Sequence, residues 1–448
     1  MTAVLAAPPV TRSRPWTAVF AVMFLSTWAG NQFSPLLLLY QERQHYSTTA
    51  VNAFLGVYVL GLVPAFLISG ALSDRYGRRP VMLAGVIAAV ATSAVLTVGE
   101  LGPAAICLGR FLAGLAVGTA TCVGTSWLKE LSQPPYDLRA DESAGARRAA
   151  LSFSLGSATG AVVAGLIAQW GPWPEQLPFL IHVALTVPFA WLLRRAPETV
   201  PATRATGNGR ARGRAREEPG EKARGKVREE TGEEARGRAR EEVGEGAPEE
   251  ARATAVWRER RFTRVVVVAA PWIFASAAIG YGYLPVLLAP ATGGLGIAYA
   301  TLLTAVALGA SALVQPWAKR LDRVDSARGL LTGLILITVG IVLVALAAGL
   351  LSWPLGIVAA FVAGGGMGTA MVSGVLEVQR IAPPADLAGL TGVFYAIAYS
   401  GFLLPTVLSA VATSSSIPVP VLLLVFAGFA LLSTLHLVRV SRHHLPSR

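Results

Sequence analysis

Three long runs without a charged residue constrain the fold of this chain more than any other feature. Residues 265–318, 329–376 and 387–438 contain no Asp, Glu, Lys or Arg, and they are 54, 48 and 52 residues long. A helix of about 20 apolar residues crosses the hydrocarbon core of a bilayer. Each run is therefore long enough for two spans. Turn-forming residues stand near the middle of each run, at 290–294, 352–354 and 414–420.

The N-terminal half contains six more apolar segments. They cover residues 16–40, 47–72, 81–99, 103–126, 149–170 and 177–193. Together with the three hairpins of the C-terminal half they predict an all-α polytopic membrane protein with twelve transmembrane helices. The helices are expected to form two six-helix bundles, at residues 16–195 and 263–440.

A charged segment, residues 196–262, separates the two halves. Within it Arg-Glu-Glu-X-Gly-Glu recurs every twelve residues, starting at positions 216, 228 and 240. The repeat has no apolar face that could be buried, so it predicts a disordered linker. A regulatory or lipid-headgroup-binding arm is the alternative.

Lys and Arg are concentrated in the loops on one side of the predicted helices. They include Arg12, Arg75, Lys129, Arg147, Lys319, Arg328, Arg380 and Arg439. The opposite side carries only Arg43. Because short loops rich in Lys and Arg stay on the cytoplasmic side, the tails 1–15 and 441–448 and the linker are predicted to be cytoplasmic. The expected location is the plasma membrane.

The composition argues against a water-soluble enzyme, since only 14% of the residues are charged and 53% are hydrophobic, against about 25% charged in soluble domains. The net charge of +12 would suit a nucleic-acid partner, but the basic residues stand in short clusters between apolar runs, so none is expected. No cofactor-binding or metal-ligand spacing occurs. A polytopic membrane enzyme is poorly supported, because paired acids and a nucleophile near a histidine are missing from the pattern.

A charged motif follows the second predicted span. The segment Gly70-Ala-Leu72-Ser-Asp74-Arg75-Tyr-Gly77-Arg78-Arg79 resembles the G-x-L-x-D-R-x-G-R-R signature of the major facilitator superfamily, which has it at the same place. Gly77 permits a tight turn, and Asp74 can accept hydrogen bonds from an Arg or a helix N-terminus. Such a cluster can lock one conformation. Basic residues that only set the topology would explain the arginines but not Asp74.

Two shorter segments strengthen the resemblance. The pair Asp322-Arg323 lies 248 residues after Asp74-Arg75, as a partial second copy. Pro197-Glu198-Thr199, just after span six, is similar to a short motif of many family members. The resemblance implies two bundles that rock about a cavity at the membrane midplane.

Arg110 lies inside span four. Arg110-Phe-Leu-Ala-Gly114 resembles the R-x-x-x-G motif of proton-coupled family members, in which the Arg is thought to take part in proton coupling. A charge inside the membrane costs at least about 2.5 kcal/mol, so Arg110 should face the protein interior and have a partner. His182, at a similar depth in span six, is expected nearby. The alternative is an Arg that snorkels to the outer surface.

Two further ionisable residues are coupling candidates. His182 could titrate near neutral pH, or it is a hydrogen-bonded packing residue. Glu377, at the cytoplasmic end of span ten, is either a helix-end residue in contact with water or a group with a gating or proton role.

Polar and aromatic side chains of three spans are candidates for lining the cavity. The polar ones precede Pro35 in span one, where Gln32 could bind a substrate or only a neighbouring helix. The tyrosines could line an apolar cavity or belong to an interfacial belt. The candidates are Thr27, Asn31, Gln32, Tyr281, Tyr283, Tyr395 and Tyr399.

These features predict a secondary transporter that moves small organic molecules by alternating access. Proton-coupled efflux is the preferred interpretation, and an uptake carrier or facilitator for a neutral solute is the alternative. The expected partners are a small-molecule substrate, protons and the lipid bilayer. The protein is expected to act as a monomer, without catalytic residues.

Overall fold

The computed structural model of the protein describes residues 14–140, 144–200, 261–321, 327–381 and 387–444. Most of the charged linker and of the two tails lies outside these residues. The partial second motif copy at Asp322-Arg323 lies outside them too.

The described part of the N-terminal half contains seven α-helices that form six spans. They are α1 (Trp16–Asn31), α2 (Leu36–Gln44), α3 (Thr48–Tyr76), α4 (Arg78–Thr97), α5 (Pro103–Leu131), α6 (Ala144–Trp170) and α7 (Leu177–Leu193). The first span consists of α1 and α2, because the helix is interrupted at residues 32–35. Pro35 has no N–H to donate to the preceding turn, which explains the interruption.

The described part of the C-terminal half contains α8 (Val267–Ala277), α9 (Leu284–Leu288), α10 (Gly296–Leu321), α11 (Arg328–Gly349), α12 (Trp353–Ile381), α13 (Leu387–Tyr399), α14 (Leu404–Ser415) and α15 (Val419–His444). Two π-helical segments, Phe262–Val266 and Ala278–Tyr283, run into α8 and α9, so that Phe262–Ala291 is one 30-residue span. A 3-10 turn, Ser400–Leu403, joins α13 to α14.

Twelve spans result from these helices. Ten helical segments of the described residues are long and apolar enough to cross a membrane. The 17-residue helix α7 and the two-part first span complete the set. The predicted turns fall between α9 and α10, α11 and α12, and α14 and α15. The all-α membrane fold predicted from the sequence is therefore confirmed.

Glycines at matching positions of the two halves allow helices to pack backbone to backbone. A Cβ atom on Gly114 of α5 would overlap the carbonyl oxygen of Tyr58 in α3. A Cβ atom on Gly364 of α12 would overlap the carbonyl oxygen of Ala307 in α10 in the same way. Small residues at such crossings let membrane helices approach closely, so the fourth span of each half is held tightly against the second.

The two halves meet along two seams. Helix α3 contacts α13 and α14, and α6 contacts α10. The second span therefore packs against the eleventh, and the fifth against the eighth. Side chains on these helices are the ones that a relative motion of the bundles would separate.

Candidate functional site

The motif between α3 and α4 forms a charge cluster. Gly77 ends α3 with a φ of 101°, a conformation that favours glycine. Arg78 Nη1 lies 2.6 Å from Asp74 Oδ1, and its Nη2 lies 2.8 Å from Glu130 Oε1. One guanidinium thus joins the adjacent ends of α3, α4 and α5. We call Asp74, Arg78, Glu130 and Glu198 the charge cluster.

Glu198 completes the charge cluster from the segment after α7. Its carboxylate accepts hydrogen bonds from the backbone N–H groups of Arg78, at 2.8 Å, and Arg79, at 2.9 Å. These N–H groups lie in the first turn of α4, where they have no partner within the helix and where the helix dipole favours an anion. Thr199 Oγ1 donates to Glu130. Glu198 and Glu130 are absent from the sequence-based candidates; the Pro-Glu-Thr resemblance pointed to Glu198, and no signal pointed to Glu130.

The other residues of the motif surround the charge cluster. Gly70 packs against Cys122, whose Sγ would lie 3.3 Å from a Cβ atom at Gly70. Leu72 is exposed, and the guanidinium of Arg75 lies 5.3 Å from the ring centroid of the next residue. Arg79 Nε has no hydrogen-bond partner among the described residues. The role of the motif as a conformational lock remains a prediction.

Arg110 is buried, with 1% of its surface exposed, where α1, α3 and α5 meet. Nη1 donates to the carbonyl oxygen of Gly30 at 3.0 Å, and Nε donates to that of Phe54 at 3.2 Å. Its Cζ lies 4.7 Å from the ring centroid of Phe33 and 4.6 Å from that of Tyr58. Arg110 faces the interior and does not snorkel, and its hydrogen-bond and ring contacts involve neither a carboxylate nor a histidine.

His182 belongs to a separate polar chain that joins α7 to α4 and α1. Gln32 Nε2 donates to Ser93 Oγ at 2.9 Å, and Ser93 Oγ lies 2.8 Å from His182 Nδ1. His182 Nε2 lies 2.9 Å from the carbonyl oxygen of Leu25. Because a carbonyl oxygen only accepts, Nε2 carries a hydrogen, and a neutral imidazole satisfies both contacts. The expected pairing of His182 with Arg110 is therefore not among its hydrogen bonds.

The polar candidates of the first span are all bonded within the N-terminal half. Asn31 Nδ2 donates to the carbonyl oxygen of Thr27 and to Ser157 Oγ, both at 3.1 Å. Thr27 Oγ1 donates to a carbonyl oxygen of the preceding turn. Gln32 Oε1 accepts a hydrogen bond from Trp28 Nε1 at 3.1 Å. A substrate would have to replace these partners to bind the three side chains.

Aromatic rings of both halves stack at the seam between α3 and α13. Across the seam, the ring centroids of Phe66 and Tyr395 lie 4.9 Å apart. On the C-terminal side of the seam, the ring of Tyr399 stacks on that of Phe274 in α8, with centroids 3.8 Å apart. In this conformation the rings pack on each other and fill the seam. We call Tyr58, Phe66, Phe274, Tyr395, Tyr399 and Phe402 the aromatic cluster.

Tyr281 and Tyr283 are buried in the π-helical segment of the seventh span. Between them, a Cβ atom on Gly282 would lie 3.2 Å from a side-chain carbon of Leu55 in α3. The segment therefore packs against the N-terminal half, but no ring contact joins these two tyrosines to the aromatic cluster in the described residues.

Glu377 does not contact water as a helix-end residue would. It is 2% exposed, and its carboxylate lies 2.8 Å from Arg261 Nε and 2.9 Å from Arg380 Nη1. The two arginines allow the carboxylate to be buried at the end of α12, because each supplies a charge-assisted hydrogen bond.

The described residues bring no three His, Cys, Asp or Glu side chains together as a metal site would require. Other arrangements are present among them, including the charge cluster at one end, a buried cation inside the N-terminal half, and the aromatic cluster between the halves. Each links helices that belong to different spans.

Curated relatives match parts of the chain. An uncharacterized MFS-type transporter, YfkF, of Bacillus subtilis is 30% identical over 182 residues, which cover 40% of this chain and 43% of the relative. The glucose facilitated diffusion protein of Zymomonas mobilis is 29% identical over 187 residues, covering 37% of this chain and 38% of the relative. The matched stretches thus span about two fifths of the relatives' length.

Solved structures share the fold across nearly the whole chain. The nucleoside transporter NupG gives a TM-score of 0.65 at 13% identity, covering 96% of this chain and 99% of NupG. A D-xylose-proton symporter gives 0.64 at 15% identity, covering 97% and 98%. The sequence profile of the Major Facilitator Superfamily matches residues 17–296. With twelve spans and the charge cluster in place between the second and third, the chain belongs to the Major Facilitator Superfamily.

Proposed function

We propose that this protein is a secondary transporter that carries small organic molecules across the plasma membrane by alternating access. It acts as a monomer with both termini in the cytoplasm. The two seams support this proposal, because a rocking motion of one bundle would open one end of each seam and close the other.

The proposed substrate class is based on the aromatic cluster. Its six side chains present ring faces at the place where the two halves meet. A solute with an aromatic or apolar body could replace the ring–ring contacts when the seam opens, since such contacts are worth about 0.5–1.5 kcal/mol each beyond burial. Small, largely apolar organic molecules are therefore the proposed substrates.

Proton-driven export is the direction that we propose. The similarity of Arg110-Phe-Leu-Ala-Gly114 to the motif of proton-coupled relatives supports it. A proton on His182 would turn Nδ1 into a donor, so that Ser93 would have to rotate its hydroxyl group. That rotation would alter the contact between α4 and Gln32 of the first span.

Facilitated movement of a neutral solute is the second candidate. It is favoured by the partners of Arg110, which are two carbonyl oxygens and two ring faces, and by the complete hydrogen bonding of a neutral His182. The partial similarity to a glucose facilitated diffusion protein points the same way.

Reconstitution into liposomes distinguishes the two candidates. An imposed pH gradient should drive accumulation of a labelled aromatic compound, and a protonophore should abolish it if export is proton-coupled. A facilitator should instead give solute counterflow that does not change with the gradient. If none of a panel of apolar and neutral solutes moves in either assay, the transport proposal is wrong.

A further inference from the structure

A cleft opens at the end of the α3–α14 seam that is opposite the charge cluster, the end that the charge bias assigns to the outside. Its walls are the first residues of α3 with the preceding Ser47, and the last turns of α14. Its six lining residues are Ser47, Thr48, Thr49, Ala410, Thr413 and Ser414, and all except Ala410 carry a hydroxyl group. We call this the outer cleft, and none of these lining side chains is charged.

Asn52 lies one turn deeper than the outer cleft on α3. It is 0% exposed, and neither Oδ1 nor Nδ2 has a hydrogen-bond partner among the described residues. On the opposing helix, Thr406 Oγ1 donates to the backbone carbonyl oxygen of Asn52 at 2.7 Å. Buried polar atoms are nearly always hydrogen-bonded, so a carboxamide that lacks both partners requires an explanation.

Among the buried amides of the described residues, only Asn52 lacks a partner for both side-chain atoms. Gln41 lacks one for Oε1, but its Nε2 donates to Thr48. Gln32 uses both side-chain polar atoms, one for Trp28 and one for Ser93. Asn31 Nδ2 donates to two acceptors. Packing in this protein can therefore satisfy a buried amide, and at Asn52 it does not.

Asn52 stands between the outer cleft and the aromatic cluster. Along α3 the order is Thr48, Asn52 and then Tyr58, and along the eleventh span it is Thr413, Thr406 and then Phe402. Gly56, four residues after Asn52, allows the helices to close, since a Cβ atom there would lie 3.1 Å from the side chain of Leu403. A molecule moving through the seam between the outside and the aromatic cluster would pass Asn52.

We propose that Asn52 and the outer cleft form a binding site for the polar end of a neutral solute, one that presents a donor and an acceptor side by side. A vicinal diol or a carboxamide has this arrangement, and a carboxamide side chain can bond to both groups at once. The uncharged lining favours a neutral group over an ion. The inference rests on the proposed transport, because the seam must part for a solute to reach Asn52.

Binding to the full-length protein in nanodiscs tests the site without transport. The probes are phenyl β-D-glucoside and benzamide, with benzoate as the charged counterpart, and thermal stabilisation reports their binding. The wild-type protein should bind the two neutral probes and not benzoate. Asn52→Leu should weaken the neutral probes about tenfold. Thr338→Val on α11 is the control and should change little, since that residue lies outside the outer cleft and its hydroxyl donates to the carbonyl oxygen of Leu334 in its own helix.

Folding should not obscure this test, because Asn52→Leu removes an unsatisfied amide. As a second measurement, Asn52→Cys with Cys107 and Cys122 replaced by Ala should react with an impermeant thiol reagent from outside, and benzamide should slow the reaction. Failure of both neutral probes to bind the wild-type protein, or equal affinity in Asn52→Leu, would overturn the site. Lost transport with intact, Asn52-dependent binding would instead refute the transport proposal alone.

Discussion

Arg110 Nη1 donates to the carbonyl oxygen of Gly30, one residue before α1 ends at Asn31. In an unbroken helix that carbonyl would accept from the N–H of Ser34, which donates to Asn31 instead. Arg110 thus occupies an acceptor that the interruption frees, at the negative end of the helix dipole. This arrangement explains how a buried cation is accommodated without a carboxylate.

Arg110→Ala should reduce gradient-driven transport at least tenfold, because both the charge and the link between α1 and α3 are lost. Arg110→Lys should also lose gradient-driven transport, since one ammonium group does not reproduce the planar guanidinium group that reaches two carbonyl oxygens. Uptake into liposomes measures both, with Leu108→Ala, an exposed position of the same helix, as the control. Full gradient-driven activity in Arg110→Ala would show that coupling does not depend on Arg110.

Glu198→Ala should destabilise the N-terminal half by about 0.5–2 kcal/mol, the usual effect of losing a helix N-cap. Thermal unfolding of the purified protein should show a lower midpoint. Glu100→Ala is the matched control, because Glu100 makes one exposed hydrogen bond, to Gln176. Equal midpoints for Glu198→Ala and the wild-type protein would mean that water replaces the carboxylate at no cost.

Asp74→Asn should impair transport more than stability. The Asp74 side chain is 54% exposed, and exposed ion pairs contribute only about 0–1 kcal/mol. The substitution would still remove the ion pair of Arg78 with Asp74 and leave Glu130 as the carboxylate paired with its guanidinium in the charge cluster. Cysteine accessibility from each side should shift between the two conformations while expression stays constant. An unchanged rate with unchanged accessibility would reduce the motif to a topology signal.

Gly364→Ala should lower stability or prevent folding, whereas Gly365→Ala should not. A Cβ atom on Gly364 overlaps the backbone of Ala307, but one on Gly365 meets no atom within 4 Å. The two substitutions make the same change one residue apart on α12. Thermal midpoints of the two variants measure the difference, and equal midpoints would contradict the close crossing of α10 and α12.

Asp137 should stabilise the loop after α5 in a pH-dependent way. Its Oδ2 lies 2.8 Å from Arg148 Nη2, and this hydrogen bond lowers the pKa of Asp137 below its usual value. The stabilisation is therefore present above about pH 4, the ordinary aspartate pKa, and is lost as the pH falls through the lowered value. Asp137→Asn should be less stable than the wild-type protein at pH 7. A difference that does not shrink at acidic pH would contradict the ion pair.

The sequence predicted the spans because the bilayer imposes a length and an apolar composition on each one. Contacts between spans carry no such pattern. Arg110 could be recognised as buried, but its acceptors are backbone atoms, which every residue has. Glu377 resembled a helix-end residue in contact with water because Arg261, which pairs with it, is 116 positions away in the chain.

The apolar pattern predicts one continuous span over residues 16–40, so it does not predict the interruption before Pro35. A proline can kink a helix or end it, and the sequence alone does not show which of the two occurs. The unpartnered side-chain amide of Asn52 could not be predicted from the sequence either, because it depends on tertiary contacts. Whether a buried amide finds a partner depends on the opposing helix, here α14, which lies more than 350 positions later in the chain.

The bonds of Glu198 to α4 use backbone N–H groups, so they do not depend on which side chains occupy positions 78 and 79. They do depend on the chain reaching past α7. Trp127 Nε1 also donates to the carbonyl oxygen of Pro197 at 3.1 Å, and Ala196 is buried beside it. An N-terminal half expressed as an independent fragment must therefore end after Thr199. A truncation at Leu193, where the last helix stops, would leave the first turn of α4 uncapped.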